Sequence, residues 1–193
     1  MKRPTAPIAI CIVALLALGS ALCQAQEVRT STPRTASGER VVRVETTLRL
    51  PPEKVWKAFS TDEGLRCWAA PVVRLDLRTG GTLKTNYDKA KAIGDAGTIS
   101  LGILNYVENE EITYKVKLTE DFAARLRAED GNLQEVVQLQ RLPDGGTRIV
   151  SSMVGWGEGE EWEKVFGFFV KGNEWSYQNL AKCFSPGAVP AKN

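Results

Sequence analysis

The sequence contains no histidine. Histidine is the commonest metal ligand and the usual general base near neutral pH, so its absence excludes most metal sites and the usual catalytic triads. The cysteines do not compensate, because Cys67 and Cys183 stand more than a hundred positions apart and form no zinc-binding pattern. We therefore assign no metal, no cofactor and no catalytic residue, and we favour a protein that is not an enzyme.

The sequence also lacks a hydrophobic run long enough to cross a membrane. Its longest, residues 8–22, covers about 15 positions, whereas a membrane span needs about 20. Lys2 and Arg3 precede the run and small residues follow it up to Ala25, which is the order of a secretory signal peptide. We predict a signal peptide over residues 1–25, cleavage after Ala25, a periplasmic or secreted location and no stable membrane insertion.

A lipid-anchored form through Cys23 is an alternative to a freely exported protein. Lipoprotein signals usually place a small residue just before the cysteine, and here Leu22 occupies that position. A retained N-terminal anchor is a second alternative. The free exported form is favoured over both.

No cluster of Lys and Arg is present, and cleavage after Ala25 would make the charge balance even. It removes Lys2 and Arg3 from 25 basic residues and nothing from 23 acidic residues. Nucleic acids and anionic membrane surfaces attract clustered basic side chains. We therefore expect no nucleic-acid partner, and the oligomeric state stays open.

The exported chain of about 170 residues is long enough for one domain with one core. Residues 26–39 are polar and aperiodic and predict a flexible leader, residues 40–185 a single domain, and residues 186–193 a tail. Alternation begins at Val42 and predicts a half-buried strand. Six further strands are predicted at 72–77, 83–87, 98–107, 112–118, 133–142 and 147–154, and their regular turns favour an antiparallel meander.

Helices are predicted at four places. Two short ones follow Pro51 and Pro52, a third covers residues 119–132, and a long one begins near Trp162 with aromatic residues at intervals of three and four. The weak helix formers at 171–173 predict a kink, bend or short break in the long helix.

Three stretches of this sequence resemble the SRPBCC superfamily: "VVRVETTLRLPPEKVWKAFSTDEGLRCW", "LRTGGTLKTNY" and "GWGEGEEWEKVFGFFVKGNEWSYQNLAKCF". They are most similar to the branch named after the activator of heat-shock-protein-90 ATPase, and together they span about residues 40 to 184. The resemblance implies an α+β helix-grip fold, in which a curved antiparallel sheet wraps around a long C-terminal helix and two short helices follow the first strand. It departs from the family pattern at Asn173 and Glu174, which separate a glycine from a tryptophan that are often adjacent.

The resemblance also implies a cavity between the sheet and the terminal helix, used for apolar or amphipathic small molecules. Fold alone does not fix the activity, but the large side chains expected near such a cavity are candidates for ligand binding. They are Trp68, Tyr87, Leu101, Tyr114, Phe122, Trp162, Phe166 and Phe169.

Two alternatives to a non-catalytic binding protein remain. One is a cyclase- or hydrolase-like enzyme that uses tyrosine and carboxylate groups, with Tyr87 and Tyr114 as the best placed tyrosines. The other is a partner-binding domain like the chaperone ATPase activator.

In the helix-grip fold the short helices pack near the far end of the terminal helix. The resemblance therefore implies that Cys67 and Cys183 can lie close enough to form a disulfide, which an oxidising compartment would favour. Two buried free thiols are the alternative.

Overall fold

The computed structural model of the chain describes residues 27–185. In this range eight strands form one antiparallel sheet in the order β1-β2-β8-β7-β6-β5-β4-β3. The strands are β1 Val28–Ser31, β2 Val42–Leu48, β3 Val72–Leu75, β4 Thr82–Asn86, β5 Ile99–Val107, β6 Glu111–Lys115, β7 Gln134–Arg141 and β8 Thr147–Val154. The predicted signal peptide, Cys23 and the predicted tail lie outside the described residues.

The meander from β3 to β8 confirms the predicted succession of strands. Tight turns form where the sequence places residues that tolerate a positive φ: Gly80 before β4, Asn109 between β5 and β6, and Gly145 between β7 and β8. β2 then closes the order by pairing with β8 from Val42↔Met153 to Leu48↔Thr147. The sheet therefore brings together strands from the beginning and the end of the domain.

β1 differs from the flexible leader predicted for residues 26–39. Val28–Ser31 pairs with β2 in antiparallel register, and the Thr46 hydroxyl donates a hydrogen bond to the Glu27 carbonyl at 3.1 Å. This edge strand has no strong hydrophobic pattern of its own. It is held by backbone hydrogen bonds to β2, and such bonds leave no periodic signal in its sequence.

Short helices follow β2, but there are three of them where two were predicted. They are α1 Pro52–Val55, α2 Lys57–Ser60 and α3 Asp62–Trp68. Pro52 opens α1, where its missing N–H costs nothing, and the Thr61 hydroxyl caps α3 by accepting a hydrogen bond from Gly64 N at 3.0 Å.

The helix predicted over residues 119–132 is shorter than expected. α4 covers only Ala124–Glu129, and a 3₁₀ turn follows at Asp130–Asn132. The buried Asp130 carboxylate accepts a hydrogen bond from Leu118 N at 2.8 Å. This contact holds the start of the loop before α4 against the 3₁₀ turn that follows α4, so the helix is confined to the residues between them.

The terminal helix α5 is continuous from Glu160 to Cys183, so the break predicted at residues 171–173 is absent. Its first turns bury Trp162 and Val165, and its last turns bury Tyr177 and Leu180. Because both ends are anchored in the core, packing outweighs the weak helix propensity of the middle.

Two hydrophobic clusters form the core. The larger one surrounds α1 to α3 and the C-terminal half of α5, and the smaller one surrounds α4 and the N-terminal half of α5. Together with the curved sheet and the long helix, they give the α+β helix-grip architecture expected from the sequence.

Candidate ligand-binding cavity

A cavity of about 930 Å³ lies between the sheet and α5. Its walls come from strands β4 to β8, from α3, from the loop before α4, from α4 and from one side of α5. Members of both core clusters line it, for example Leu65 and Val137 from the larger cluster and Val116 and Val165 from the smaller one. The volume falls within the range of small-molecule sites, about 300 to 1,000 Å³.

Six of the eight residues predicted to bind a ligand lie on the wall of this cavity. They are Trp68, Tyr87, Leu101, Tyr114, Phe122 and Phe169. Trp68 contacts Tyr177 with ring centroids 5.6 Å apart and donates its indole N–H to the Ala58 carbonyl at 2.9 Å, so its ring is held in place.

Trp162 and Phe166 do not line the cavity, contrary to the expectation. The Trp162 ring is fully buried, and its indole N–H donates to Glu129 Oε2 at 2.8 Å. The Phe166 ring packs on Trp156, with centroids 5.0 Å apart, and against the Arg40 guanidinium at 4.6 Å. Both side chains therefore pack at the flank of α5 and not in the cavity. The aromatic residues of this helix occupy more than one of its sides.

The mouth of the cavity carries exposed aromatic side chains. Tyr87, Phe168 and Trp175 line the cavity and are also more than half exposed to solvent. Tyr87 and Trp175 lie with ring centroids 6.4 Å apart. Four exposed charged residues also contribute to the wall, namely Lys117, Asp121, Glu161 and Lys164.

A small polar group lies on the floor of this apolar cavity. Tyr114 on β6 and Glu135 on β7 face each other in the strand register. Ser151 on β8 donates a hydrogen bond to Glu135 Oε1 at 2.6 Å, and the Tyr177 hydroxyl from α5 approaches the same oxygen at 3.5 Å. The Tyr114 hydroxyl is buried and has no hydrogen-bond partner among residues 27–185.

Removal from water dominates the electrostatics of this group. Loss of hydration raises the pKa of the Glu135 carboxyl, although hydrogen bonds from Ser151 and Tyr177 partly offset the shift. The same loss of hydration, together with the nearby Glu135 charge, raises the pKa of Tyr114 and of Tyr177. Because their pKa values are raised, both tyrosines are neutral hydroxyl groups at physiological pH. The Glu135 side chain is still partly accessible, since it lies on the cavity wall.

Sequence reasoning missed Glu135, Ser151 and the cavity position of Tyr177. Glu135 shares its strand face with Val137 and Leu139, which are buried. A charged residue at an inward position of a strand is a recognisable signal, because such a side chain needs a reason to be there. Ser151 gives the same signal between Ile149 and Met153.

Cys67 and Cys183 are joined by a disulfide, with their Cα atoms 6.1 Å apart. The bond ties the last turn of α3 to the last turn of α5. Since Trp68 follows Cys67 directly and lines the cavity, the bond holds one end of the cavity wall against the terminal helix.

Within residues 27–185, no group of His, Cys, Asp and Glu side chains is arranged to hold a metal ion. None of the helices in that range combines the length and the apolar character that a membrane crossing demands.

Comparison with known proteins places the fold. The sequence model of the family described as "Activator of Hsp90 ATPase homolog 1-like protein" matches residues 49–185. No curated protein sequence matches this chain.

Solved structures share the architecture at low sequence identity. CalU16 from Micromonospora echinospora aligns with a TM-score of 0.60 and 20% identity, covering 89% of this chain and 80% of its own. The Aha1 dimer protein from Colwellia psychrerythraea aligns with a TM-score of 0.58 and 15% identity, covering 77% and 98%. EF2215 from Enterococcus faecalis, a conserved protein of unknown function, gives 0.56 and 14%, covering 86% and 82%. At these identities the likeness concerns the fold alone.

Proposed function

This chain belongs to the activator of Hsp90 ATPase homolog 1-like family, whose SRPBCC-type fold is a ligand-binding scaffold, and we propose that it binds an apolar or amphipathic small molecule without transforming it. The observation that carries the proposal is the cavity of about 930 Å³ between the sheet and α5. A concave and mostly apolar cavity of this size is the usual form of a small-molecule site, so it supports binding of such a ligand.

The lining of the cavity supports an apolar occupant. Aliphatic and aromatic side chains make up most of its wall, and the exposed charged residues lie at the surface. Burial of apolar ligand surface against such a wall contributes about 25 cal/mol per Å² to affinity before the costs of association.

We also propose that the protein acts outside the cytoplasm. The predicted signal peptide over residues 1–25 supports this, and so does the Cys67–Cys183 disulfide, since disulfides persist in oxidising compartments. N-terminal sequencing of protein from a native host would yield Gln26 as the first residue. An intact N-terminus in cytoplasmic protein would contradict export and would favour the partner-binding alternative.

The polar floor of the cavity favours one second candidate, an enzyme of the cyclase or hydrolase kind. Glu135 is a carboxyl with a raised pKa, and such a group can act as a general acid. Turnover of an extracted ligand by native protein and its loss in Glu135→Gln would support this candidate. Recovery of the ligand unchanged after prolonged incubation supports binding alone.

The direct test is native mass spectrometry of the full-length protein after export and gentle purification. We expect a bound species that denaturation releases and that solvent extraction identifies as apolar or amphipathic. The same preparation, stripped of ligand, should bind the neutral fluorescent dye N-phenyl-1-naphthylamine with an increase in emission. Protein that carries no adduct and also leaves the dye unbound would contradict the proposal.

A further inference from the structure

The Tyr114 hydroxyl is a polar group on the cavity wall that the described residues leave without a hydrogen bond. The side chain is only 4% exposed, it lies on the cavity wall, and within the described part of the chain nothing forms a hydrogen bond with its hydroxyl. Buried polar groups in proteins are almost always satisfied, because an unpaired one loses its hydration without compensation. A partner for this hydroxyl must therefore come from outside the described residues, and the cavity beside it leaves room for a ligand to supply one.

Glu135 offers a second contact beside it. Tyr114 and Glu135 are register partners on β6 and β7, which puts their side chains next to each other on the same face of the sheet. Ser151 and Tyr177 both approach Glu135 Oε1, whereas no described residue donates a hydrogen bond to Oε2. The floor of the cavity thus presents two neighbouring polar groups with unused hydrogen-bonding capacity.

Building on the binding function proposed above, we propose that the ligand buries a hydroxyl group, of an alcohol or a phenol, between Tyr114 and Glu135. The ligand oxygen accepts a hydrogen bond from the Tyr114 hydroxyl, and the ligand O–H donates to the Glu135 carboxylate. The rest of the ligand is apolar and extends along the wall towards Tyr87, Phe168 and Trp175 at the mouth.

Other polar head groups fit less well. A hydrocarbon satisfies neither partner, and an ether or ketone accepts from Tyr114 but offers nothing to a carboxylate. A ligand carboxylate would place a second negative charge beside Glu135. An ammonium can pair with Glu135, but two charges would have to leave water for a mostly apolar cavity, and that desolvation is costly. A neutral hydroxyl satisfies both groups without this cost.

The test uses three bicyclic probes of similar size: 2-naphthol, its methyl isostere 2-methylnaphthalene, and the cation 2-naphthylmethylammonium. Affinities for the ligand-free, disulfide-intact protein are measured by calorimetric titration at neutral pH. The same titrations are repeated with Tyr114→Phe and Glu135→Gln. Tyr106→Phe serves as the matched control, because Tyr106 stacks on Trp56 and is not part of the cavity wall.

We expect native protein and Tyr106→Phe to bind 2-naphthol about five- to tenfold more tightly than 2-methylnaphthalene, the effect of one or two hydrogen bonds. In Tyr114→Phe and in Glu135→Gln this preference should fall to about two- to threefold or less, because each variant loses or weakens one of the two hydrogen bonds, while 2-methylnaphthalene binds as before. Thermal unfolding without ligand separates recognition from folding. Tyr114→Phe removes an unpaired buried hydroxyl, so its melting temperature should equal or exceed that of native protein.

The remaining outcomes distinguish this inference from the function on which it rests. Equal affinities for 2-naphthol and 2-methylnaphthalene in native protein would overturn the hydroxyl site and leave the binding function intact. Tightest binding of the ammonium probe would overturn it in favour of a cationic ligand. If none of the three probes binds, the proposed binding function itself fails, and the hydroxyl site fails with it.

Discussion

Tyr114 and Glu135 lie opposite each other on neighbouring strands, on the face of the sheet that α5 covers. A carboxyl and an unpaired hydroxyl thereby share the floor of a cavity whose walls are mostly apolar. Positions with this parity are filled elsewhere by residues such as Ile112 and Val137, which are buried in the core. A polar pair at the same depth lowers stability, and such a cost is typical of positions that serve a function.

The position of Glu135 predicts a pH dependence of stability. Loss of hydration raises the pKa of the Glu135 carboxyl above its ordinary range, so the folded state holds this proton more strongly than the unfolded state does. The contribution of Glu135 to the free energy of unfolding is therefore greatest below the unfolded pKa and declines as pH rises through the folded pKa. Tyr114 and Tyr177, which face Glu135, stay neutral over this range because their own pKa values are raised.

Denaturant titrations of native protein and Glu135→Gln across the acidic to neutral range measure this effect. The difference in unfolding free energy between the two proteins should shift in favour of Glu135→Gln as pH rises. Tyr106→Phe, which leaves every carboxyl group in place and is not on the cavity wall, is the control, and its difference from native protein should stay constant with pH over this range. A Glu135→Gln difference that stays constant with pH would contradict the raised pKa.

The disulfide predicts a large loss of stability on reduction. It closes a loop of 116 residues, which corresponds to about 4 to 5 kcal/mol in the chain-entropy description. Cys67 is exposed, so a mild reductant can reach the bond. Thermal unfolding with and without reductant should differ by many degrees in native protein and be the same in the Cys67→Ser, Cys183→Ser double variant. Equal melting temperatures for oxidised and reduced native protein would contradict a stabilising role.

The position of Gly157, just before α5, should be sensitive to any added side chain. A Cβ atom at this position would collide with the Trp162 indole, which is fully buried and hydrogen-bonded to Glu129. Gly157→Ala should therefore lower the free energy of unfolding by about 1 to 3 kcal/mol, as overpacking does elsewhere. Gly131→Ala, where the added methyl group meets open space, is the matched control and should be close to neutral. Chemical denaturation of both variants checks the prediction, and similar stabilities would contradict it.

Much of the fold could be predicted because its elements carry their own patterns. β8 was predicted with its observed bounds, 147–154, and the other predicted strands differ from the observed ones by a few residues. Alternating side chains and turn residues with positive φ act locally, so a sequence displays them directly. β1 could not be predicted in this way, since its pairing depends on β2. The unbroken α5 could not either, because packing at its ends overrides the glycine in its middle.

The site was predicted less completely, for a related reason. Large aromatic residues mark the neighbourhood of a cavity, and Trp68 and Phe169 do lie on its wall. The side of a helix that each aromatic occupies depends on how the helix docks, so Trp162 and Phe166 could not be separated from Phe169 in advance. Most acidic residues that stand out in the sequence lie at turns or helix starts, whereas Glu135 faces inward from a central strand, so it was not among the predicted site residues.

If a small molecule occupies the space between the sheet and α5, then filling that space with a side chain must weaken binding. Two glycines of α5 allow this comparison. Gly172 and Gly167 both lie within α5 with open space around them, but only Gly172 lines the cavity. Replacing either by phenylalanine improves helix propensity by about 0.5 kcal/mol, so both variants should fold. The measurement is a fluorescence titration of each variant and of native protein with N-phenyl-1-naphthylamine. We expect Gly172→Phe to bind the dye at least several-fold more weakly and Gly167→Phe to bind it like native protein. Equal binding by all three proteins would contradict a ligand site between the sheet and α5.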